Sequence, residues 1–199
     1  MAIKTVLCDV GNVLVLADHA RTHAKLIEYG VSEEAARRFY QNDDYPAFSI
    51  GEIDQEQFWA RLVMHLEFPL TYEQVVEAHH AQIYSLDQAV LDLLLRLTVP
   101  LAFATDTNPW QDERVAHFVK PDRLGPVFKS HQLGMLKRDP GAFRVIVGLL
   151  SHEPDETLLI DDSPEKIARA TEYGIQTHLF VDANSLEQDL SRRGLLKPM

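Results

Sequence analysis

Three short apolar runs predict buried strands in this chain of 199 residues, and a fourth run predicts one more strand. They lie at residues 5–8, 99–104, 157–160 and 175–180. Unbroken apolar runs of this length are typical of parallel strands, because helices cover both faces of a parallel sheet. The first three runs end on or beside Asp or Thr, which places polar groups at the ends of the predicted strands.

Helix signals fill the segments between these runs. Ser163 and Pro164 have the order of an N-cap and a first-turn proline, and Asp139 with Pro140 opens the segment 143–150 in the same way. Strands that alternate with helices are typical of an α/β fold. We therefore predict a doubly wound, Rossmann-like parallel sheet.

Residues 17–97 differ from the rest of the chain, because their apolar residues recur at helical spacing. Asp54 and Gln57 resemble a capping box at the start of one such segment. The pattern predicts an all-helical cap over residues 17–97. This cap is inserted after the first strand into an α/β core formed by residues 1–16 and 98–199.

The net charge and the cysteine content argue against several kinds of partner and site. The formal net charge is −11, which argues against a nucleic acid or an anionic membrane as a partner. The single cysteine, Cys8, leaves no internal disulfide and no multi-cysteine zinc site. The sequence has neither a signal-peptide pattern nor an apolar run of membrane-spanning length. We predict a cytoplasmic protein that is a monomer or a homodimer.

Polar residues at the strand ends form the candidate active site. In open α/β sheets the carboxyl ends of the strands meet at the ligand-binding edge. Crowded carboxylates resist joint ionisation and attract a cation, and oxygen ligands favour Mg²⁺. One carboxylate can then attack phosphorus, with a lysine beside it to hold the nucleophile and the phosphate. The residues expected to converge are Asp9, Thr105, Asp106, Asp161 and Asp162, with Lys137 as the lysine.

These residues resemble, in order and spacing, the four motifs of the haloacid dehalogenase-like superfamily, in the subfamily with a helical cap after the first strand. Segment 9–13, Asp-Val-Gly-Asn-Val, is similar to the first motif of a branch that includes small bacterial sugar-phosphate phosphatases. Thr105 ends the second motif, Lys137 is the third, and Asp161 and Asp162 form the fourth. The resemblance covers nearly the whole chain.

The resemblance implies a magnesium-dependent phosphate monoester hydrolase that acts on small phosphorylated metabolites, sugar phosphates among them. Asp9 would attack phosphorus and form an aspartyl-phosphate. Thr105 would donate a hydrogen bond to the transferring phosphoryl group, and Lys137 would neutralise its charge. Closing of the helical cap would exclude bulk water from the site.

The resemblance also implies the metal site. Mg²⁺ would be held by Asp9, by the backbone carbonyl of Gly11 and by Asp162, while Asp161 would orient a metal-bound water or the lysine. Glycine at position 11 would let the chain turn sharply and present that carbonyl.

Three positions depart from the motifs. Gly11 stands where most phosphatases of the superfamily carry a second aspartate, the general acid/base, a role that Asp106 or His19 could fill instead. Asp106 itself stands where an asparagine often follows the Thr. Lys166 stands where the branch often has an asparagine, and we interpret it as a residue on a solvated helix face.

Aromatic residues of the cap are candidates for substrate contacts. Tyr45 and Phe48, in the segment Asn-Asp-Asp-Tyr-Pro-Ala-Phe, could line a pocket over a small phosphate ester or could pack in a core. Trp110, soon after the second motif, has the same two interpretations.

Two other functions remain open. On the same fold, a 2-haloacid dehalogenase uses the aspartate against carbon and needs no metal, although the paired Asp161 and Asp162 argue against it. A catalytically weak or inactive relative that binds a phosphorylated ligand or a protein partner is favoured by Gly11, Asp106 and Lys166.

Overall fold

The computed structural model describes residues 2–66 and 68–198. Its strands are β1 (Thr5–Cys8), β2 (Val15–Ala17), β3 (Ile83–Leu86), β4 (Leu101–Thr105), β5 (Val127–Lys129), β6 (Thr157–Asp161) and β7 (Gln176–Leu179). Its α-helices are α1 (His19–Glu28), α2 (Glu33–Arg37), α3 (Asp44–Ser49), α4 (Gln55–Leu66), α5 (Tyr72–His80), α6 (Gln88–Leu95), α7 (Pro109–Val115), α8 (Ser130–Leu133), α9 (Ala142–Leu150), α10 (Pro164–Glu172) and α11 (Ala183–Arg192).

Within these residues, five strands form a parallel sheet in the order β5–β4–β1–β6–β7. All four residues of β1 are buried, as are all five of β6, because helices cover both faces of the sheet. The α/β class and the parallel sheet predicted from the sequence are confirmed. The strand order places the end of β1 between the ends of β4 and β6, so that the polar residues following these strands become neighbours.

The edge strand β5 was not predicted from the apolar runs. This strand is three residues long and only partly buried, so its apolar signal is weak. Just before β5, the backbone at Gly125 passes close to that of Leu101. An ideal Cβ on Gly125 would lie 1.9 Å from the carbonyl oxygen of Leu101, so a larger residue would clash there.

Helices α1 to α5 pack around an apolar cluster of their own. The reciprocal hydrogen bonds of Asp54 and Gln57 confirm the predicted capping box before α4. Buried members of this cluster include Leu26, Phe39, Phe48, Phe58, Leu62 and Val75.

The segment predicted to be all-helical also contains strand β3, which corrects that prediction. Strands β2 and β3 form an antiparallel ribbon at the point where the chain leaves the sheet and returns to it. Helix α6, although inside residues 17–97, packs with the sheet, because its Val90, Leu93 and Leu94 belong to the cluster that contains Val6 and Leu158. The division of the chain into a core and a cap at residues 17 and 97 stays a prediction.

Among the helices of the described residues, none combines the length and the apolar character needed to cross a membrane.

Candidate active site

Three carboxylates meet at the carboxyl ends of the central strands. Asp9 follows β1, Asp161 ends β6 and Asp162 follows it. One oxygen from each of these side chains lies within 4.8 Å of the others. The structure therefore brings together the acids that the motifs singled out, because parallel strands end at the same edge of their sheet.

Lys137 lies between two of these acids. It is only 3% exposed, and its Nζ lies 2.8 Å from Oδ2 of Asp9 and 2.6 Å from Oδ2 of Asp161. The second oxygen of Asp161 accepts a hydrogen bond of 2.9 Å from the backbone N–H of Ser163. A buried ammonium group between two carboxylates is a paired charge, which the protein interior tolerates where an unpaired one is costly.

Lys166 also reaches the site, so its interpretation as a residue on a solvated helix face is wrong. It lies in the first turns of α10, and its Nζ is 3.1 Å from Oδ2 of Asp106 and 3.7 Å from Oδ2 of Asp9. Burial on its own lowers the pKa of Lys166, but the negative charges of Asp9, Asp106 and Asp161 outweigh it and raise this pKa. Helix α10 begins just after the last motif, so its first turn faces the strand ends. That position in the sequence was the signal that could have placed Lys166 in the site.

Asp106 connects three segments of the site. Its Oδ1 accepts a hydrogen bond of 2.8 Å from the backbone N–H of Lys137, and its Oδ2 faces Lys166. A neutral asparagine at this position would lack the charge that matches Lys166. Asp106 and Lys166, two of the three departures from the motifs, therefore form one ion pair.

The carboxylates differ in acidity. Burial on its own raises the pKa of Asp9, but the charges of Lys137 and Lys166 outweigh it and hold this pKa below its ordinary value. Burial and the charge of Asp9 raise the pKa of Asp161 to about 6, and the same two causes raise the pKa of Asp162. Asp9 is thus the acid that stays ionised most readily, as a nucleophile toward phosphorus must.

The donor set suits a divalent cation. When the four aspartates 9, 106, 161 and 162 are ionised, their charges exceed those of the two lysines by two. The oxygen donors closest together are the carboxylates of Asp9, Asp161 and Asp162. Oxygen-only donors with surplus negative charge are what Mg²⁺ prefers.

The backbone at position 11 has an ordinary conformation, which corrects the expectation that glycine is needed there for a sharp turn. The left-handed conformation is adopted instead by Asn12, with φ 54°, and the side chain of Asn12 accepts a hydrogen bond of 2.9 Å from the backbone N–H of Ala17. An ideal Cβ built on Gly11 meets no atom within 4 Å. Position 11 therefore has space for a Cβ atom.

A cavity of about 370 Å³ lies between the helices of the inserted segment and the strand ends. Asp106 and Lys166 line its floor, and Tyr45 is among its other walls. His19 also lines it and stacks on Tyr40 with ring centroids 3.9 Å apart. Thr105 is buried and lines a separate cavity of about 300 Å³ together with Val10 and Lys129.

Trp110 does not line the cavity beside Lys166, which corrects its assignment as a substrate contact. Its side chain is fully buried in the cluster of helices α1 to α5, and its Nε1–H donates a hydrogen bond of 3.0 Å to the hydroxyl of Tyr72. Phe48 is buried beside it, with ring centroids 5.0 Å apart. Both residues are core aromatics that fasten α7 to the inserted helices.

This chain is similar to a protein of known activity and to several solved structures. No family model matches this chain. Flavin mononucleotide hydrolase 1 of Arabidopsis thaliana is 39% identical over 72 residues, which are 36% of this chain and 29% of that protein. The match thus spans less than a third of the relative's length.

Two solved structures have the same arrangement of elements. A HAD family enzyme from Bacteroides thetaiotaomicron, in complex with magnesium and inorganic phosphate, superposes with a TM-score of 0.82 and 23% identity, covering 89% of this chain and 93% of that chain. A 2-haloacid dehalogenase from Pseudomonas syringae pv. Tomato DC3000 has a TM-score of 0.65 and 18% identity, covering 96% of this chain and 99% of that one. At these identities the likeness establishes a shared fold and leaves the reaction to be argued from the site.

Proposed function

Because this chain has the haloacid dehalogenase-like fold, as its motifs predicted, we propose that it is a magnesium-dependent phosphate monoester hydrolase. The reaction would pass through an aspartyl-phosphate on Asp9, and the substrates would be small phosphorylated metabolites. The observation that carries the proposal is the position of the Lys137 ammonium group, 2.8 Å from Asp9 and 2.6 Å from Asp161. The carboxylate of Asp162 lies beside these two acids and forms no ion pair within the described residues. A dehalogenase has little need for such a cluster of acids.

The chemistry follows from this arrangement. Oδ2 of Asp9 attacks phosphorus, the bond from phosphorus to the ester oxygen breaks, and the leaving alkoxide takes a proton from water. Water then cleaves the aspartyl-phosphate, which releases inorganic phosphate and restores the carboxylate of Asp9. Lys137 orients the nucleophile and offsets the charge on the phosphoryl oxygens, while Asp161 holds Lys137 in place. The hydroxyl of Thr105 donates a hydrogen bond to the phosphoryl group.

Magnesium, when bound, would neutralise and orient the phosphate. Asp9, Asp162 and the backbone carbonyl of Gly11 are the groups that would hold it. Asp161 would act mainly through Lys137, whose ammonium group donates a hydrogen bond of 2.6 Å to Oδ2 of Asp161.

The cavity beside Lys166 supports a small substrate. Its volume of about 370 Å³ suits a metabolite, and Tyr45 is the cap aromatic that could contact the leaving group. Sugar phosphates are one class to test. Flavin mononucleotide is another, because the Arabidopsis thaliana relative is named as its hydrolase. We propose the cytoplasm as the location and no nucleic-acid or membrane partner, in keeping with the net charge of −11.

The test is phosphate release from a panel of esters, measured with Mg²⁺ and with a chelator. We expect release that requires Mg²⁺ and that is lost in Asp9→Asn. Asp182→Asn is the matched control, because Asp182 caps α11 through the N–H of Ser185 and asparagine caps equally well. Equal release by Asp9→Asn and the wild type would refute the proposal.

The same experiment separates the other two functions. Halide release from 2-chloropropionate in the presence of chelator would favour the dehalogenase. Stabilisation by a phosphorylated ligand without turnover of any ester would favour a binding protein.

A further inference from the structure

Two ammonium groups face the same oxygen of Asp9. Oδ1 of Asp9 accepts a hydrogen bond of 2.7 Å from the backbone N–H of Val10. Oδ2 faces Lys137 at 2.8 Å and Lys166 at 3.7 Å. One carboxylate oxygen is thus held by the backbone, and the other lies between two cations.

The side chain of Lys166 is open to a ligand. Its side chain is 21% exposed, whereas that of Lys137 is 3% exposed, and Lys166 lines the cavity of about 370 Å³. A lysine needed only to neutralise Asp106 could do so while pointing away from Asp9. Here the same Nζ lies within 4 Å of both acids.

We propose that Lys166 is a second phosphate-binding cation, which acts together with Lys137 on a phosphate group seated at Oδ2 of Asp9. This inference rests on the same site as the proposed function. A phosphate that enters this site meets the carboxylates of Asp9, Asp161 and Asp162, which repel it. A second ammonium group offsets that repulsion, because charge-assisted hydrogen bonds to phosphate oxygens are among the strong ones. Asp106 is the positioning residue that holds Lys166 in place.

The inference can be tested with inorganic phosphate as the probe, by titration calorimetry in Mg²⁺. We expect Lys166→Met to weaken phosphate binding by about ten- to a hundredfold, the worth of one hydrogen bond to a charged group. Lys166→Arg, which keeps the charge, should retain most of the affinity. Lys4→Met is the matched control, because Lys4 is paired with Glu156 at the opposite end of the sheet.

A second comparison separates phosphate binding from mere neutralisation of Asp106. In the Asp106→Asn background, Lys166→Met should still weaken phosphate binding, by a smaller factor because Asp106 no longer holds Lys166 in place. If Lys166 serves only to neutralise Asp106, its replacement has no effect in that background. Should Lys166→Met fail to fold, as judged by thermal unfolding, Lys166→Gln carries the same test.

The outcomes are distinct from those of the hydrolase test. Wild-type protein that binds phosphate through Lys166 but hydrolyses no ester would support this inference and refute the hydrolase. Unchanged phosphate affinity in the Lys166 variants, an effect that vanishes in the Asp106→Asn background, or wild-type protein that binds no phosphate would each overturn it.

Discussion

Restoring an aspartate at position 11 should accelerate the proposed hydrolase. The structure has room for it, since an ideal Cβ on Gly11 meets no atom within 4 Å and the backbone there is not in the left-handed region. The motif resemblance implies that an acid two residues after Asp9 protonates the leaving oxygen and then activates water. Gly11→Asp would supply that proton donor, and its Cβ would meet no neighbouring atom.

The size of the effect follows from two opposing contributions. General acid–base catalysis is typically worth ~10²–10⁴ in rate, or about 3–5 kcal/mol of the barrier. A new carboxylate beside Asp9, Asp161 and Asp162 also repels the phosphate, which weakens binding. We therefore expect kcat to rise by about 10²-fold, the lower end of that range, while KM rises as well.

The assay compares two leaving groups. An alkyl alcohol is a poor leaving group and gains from a proton donor, whereas p-nitrophenolate leaves readily without one. Gly11→Asp should therefore accelerate hydrolysis of an alkyl phosphate more than hydrolysis of p-nitrophenyl phosphate. Gly11→Asn is the matched control, because it has the same size and no transferable proton. Equal rates for the Asp and Asn variants would show that a carboxyl group at position 11 transfers no proton, and would leave Asp106 or His19 as the acid.

Three further predictions concern stability. Lys137→Met should destabilise the protein by about 3–5 kcal/mol in urea unfolding, because the buried Asp9 and Asp161 lose the ammonium group between them. An unchanged urea midpoint of unfolding would contradict the ion pairs of Lys137 with these two acids. Trp110→Ala should cost about 3–5 kcal/mol, since it empties a fully buried site between α7 and the inserted helices, and a near-neutral result would show that the ring is not packed as described. Burial, then the charges of His80 and His19, lower the pKa of His79 well below its ordinary value of 6.5. Below pH 6.5 the unfolded chain therefore binds a proton at His79 that the folded chain does not bind, and the free energy of unfolding should fall as the pH drops. His79→Gln should reduce this dependence of the unfolding free energy on pH. A dependence identical to that of the wild type would exclude His79 as its source.

Much of this protein could be predicted from local patterns. Strand β1 coincides with the apolar run at residues 5–8, and β6 and β7 lie where the later runs predicted strands. An apolar run fixes where a buried strand lies, and the polar residue after it fixes where the strand ends. Because parallel strands end at one edge, the sequence places Asp9, Asp161 and Asp162 at that edge, and the strand order in the sheet makes them neighbours.

Contacts between distant segments were decided by the tertiary structure. The orientation of α10 relative to the sheet turns Lys166 toward Asp9, and the packing of α7 turns Trp110 into the cluster of inserted helices. A helical pattern shows which residues share a face, but it does not show what that face meets. The same limit applies to α6, which lies inside residues 17–97 and packs with the sheet. The apolar runs and the polar residues after them located the central strands of the sheet and the edge at which the acids gather. Only the packing of helices against that edge decided which cations and aromatic rings reach it, because those contacts depend on shape complementarity between segments far apart in the chain.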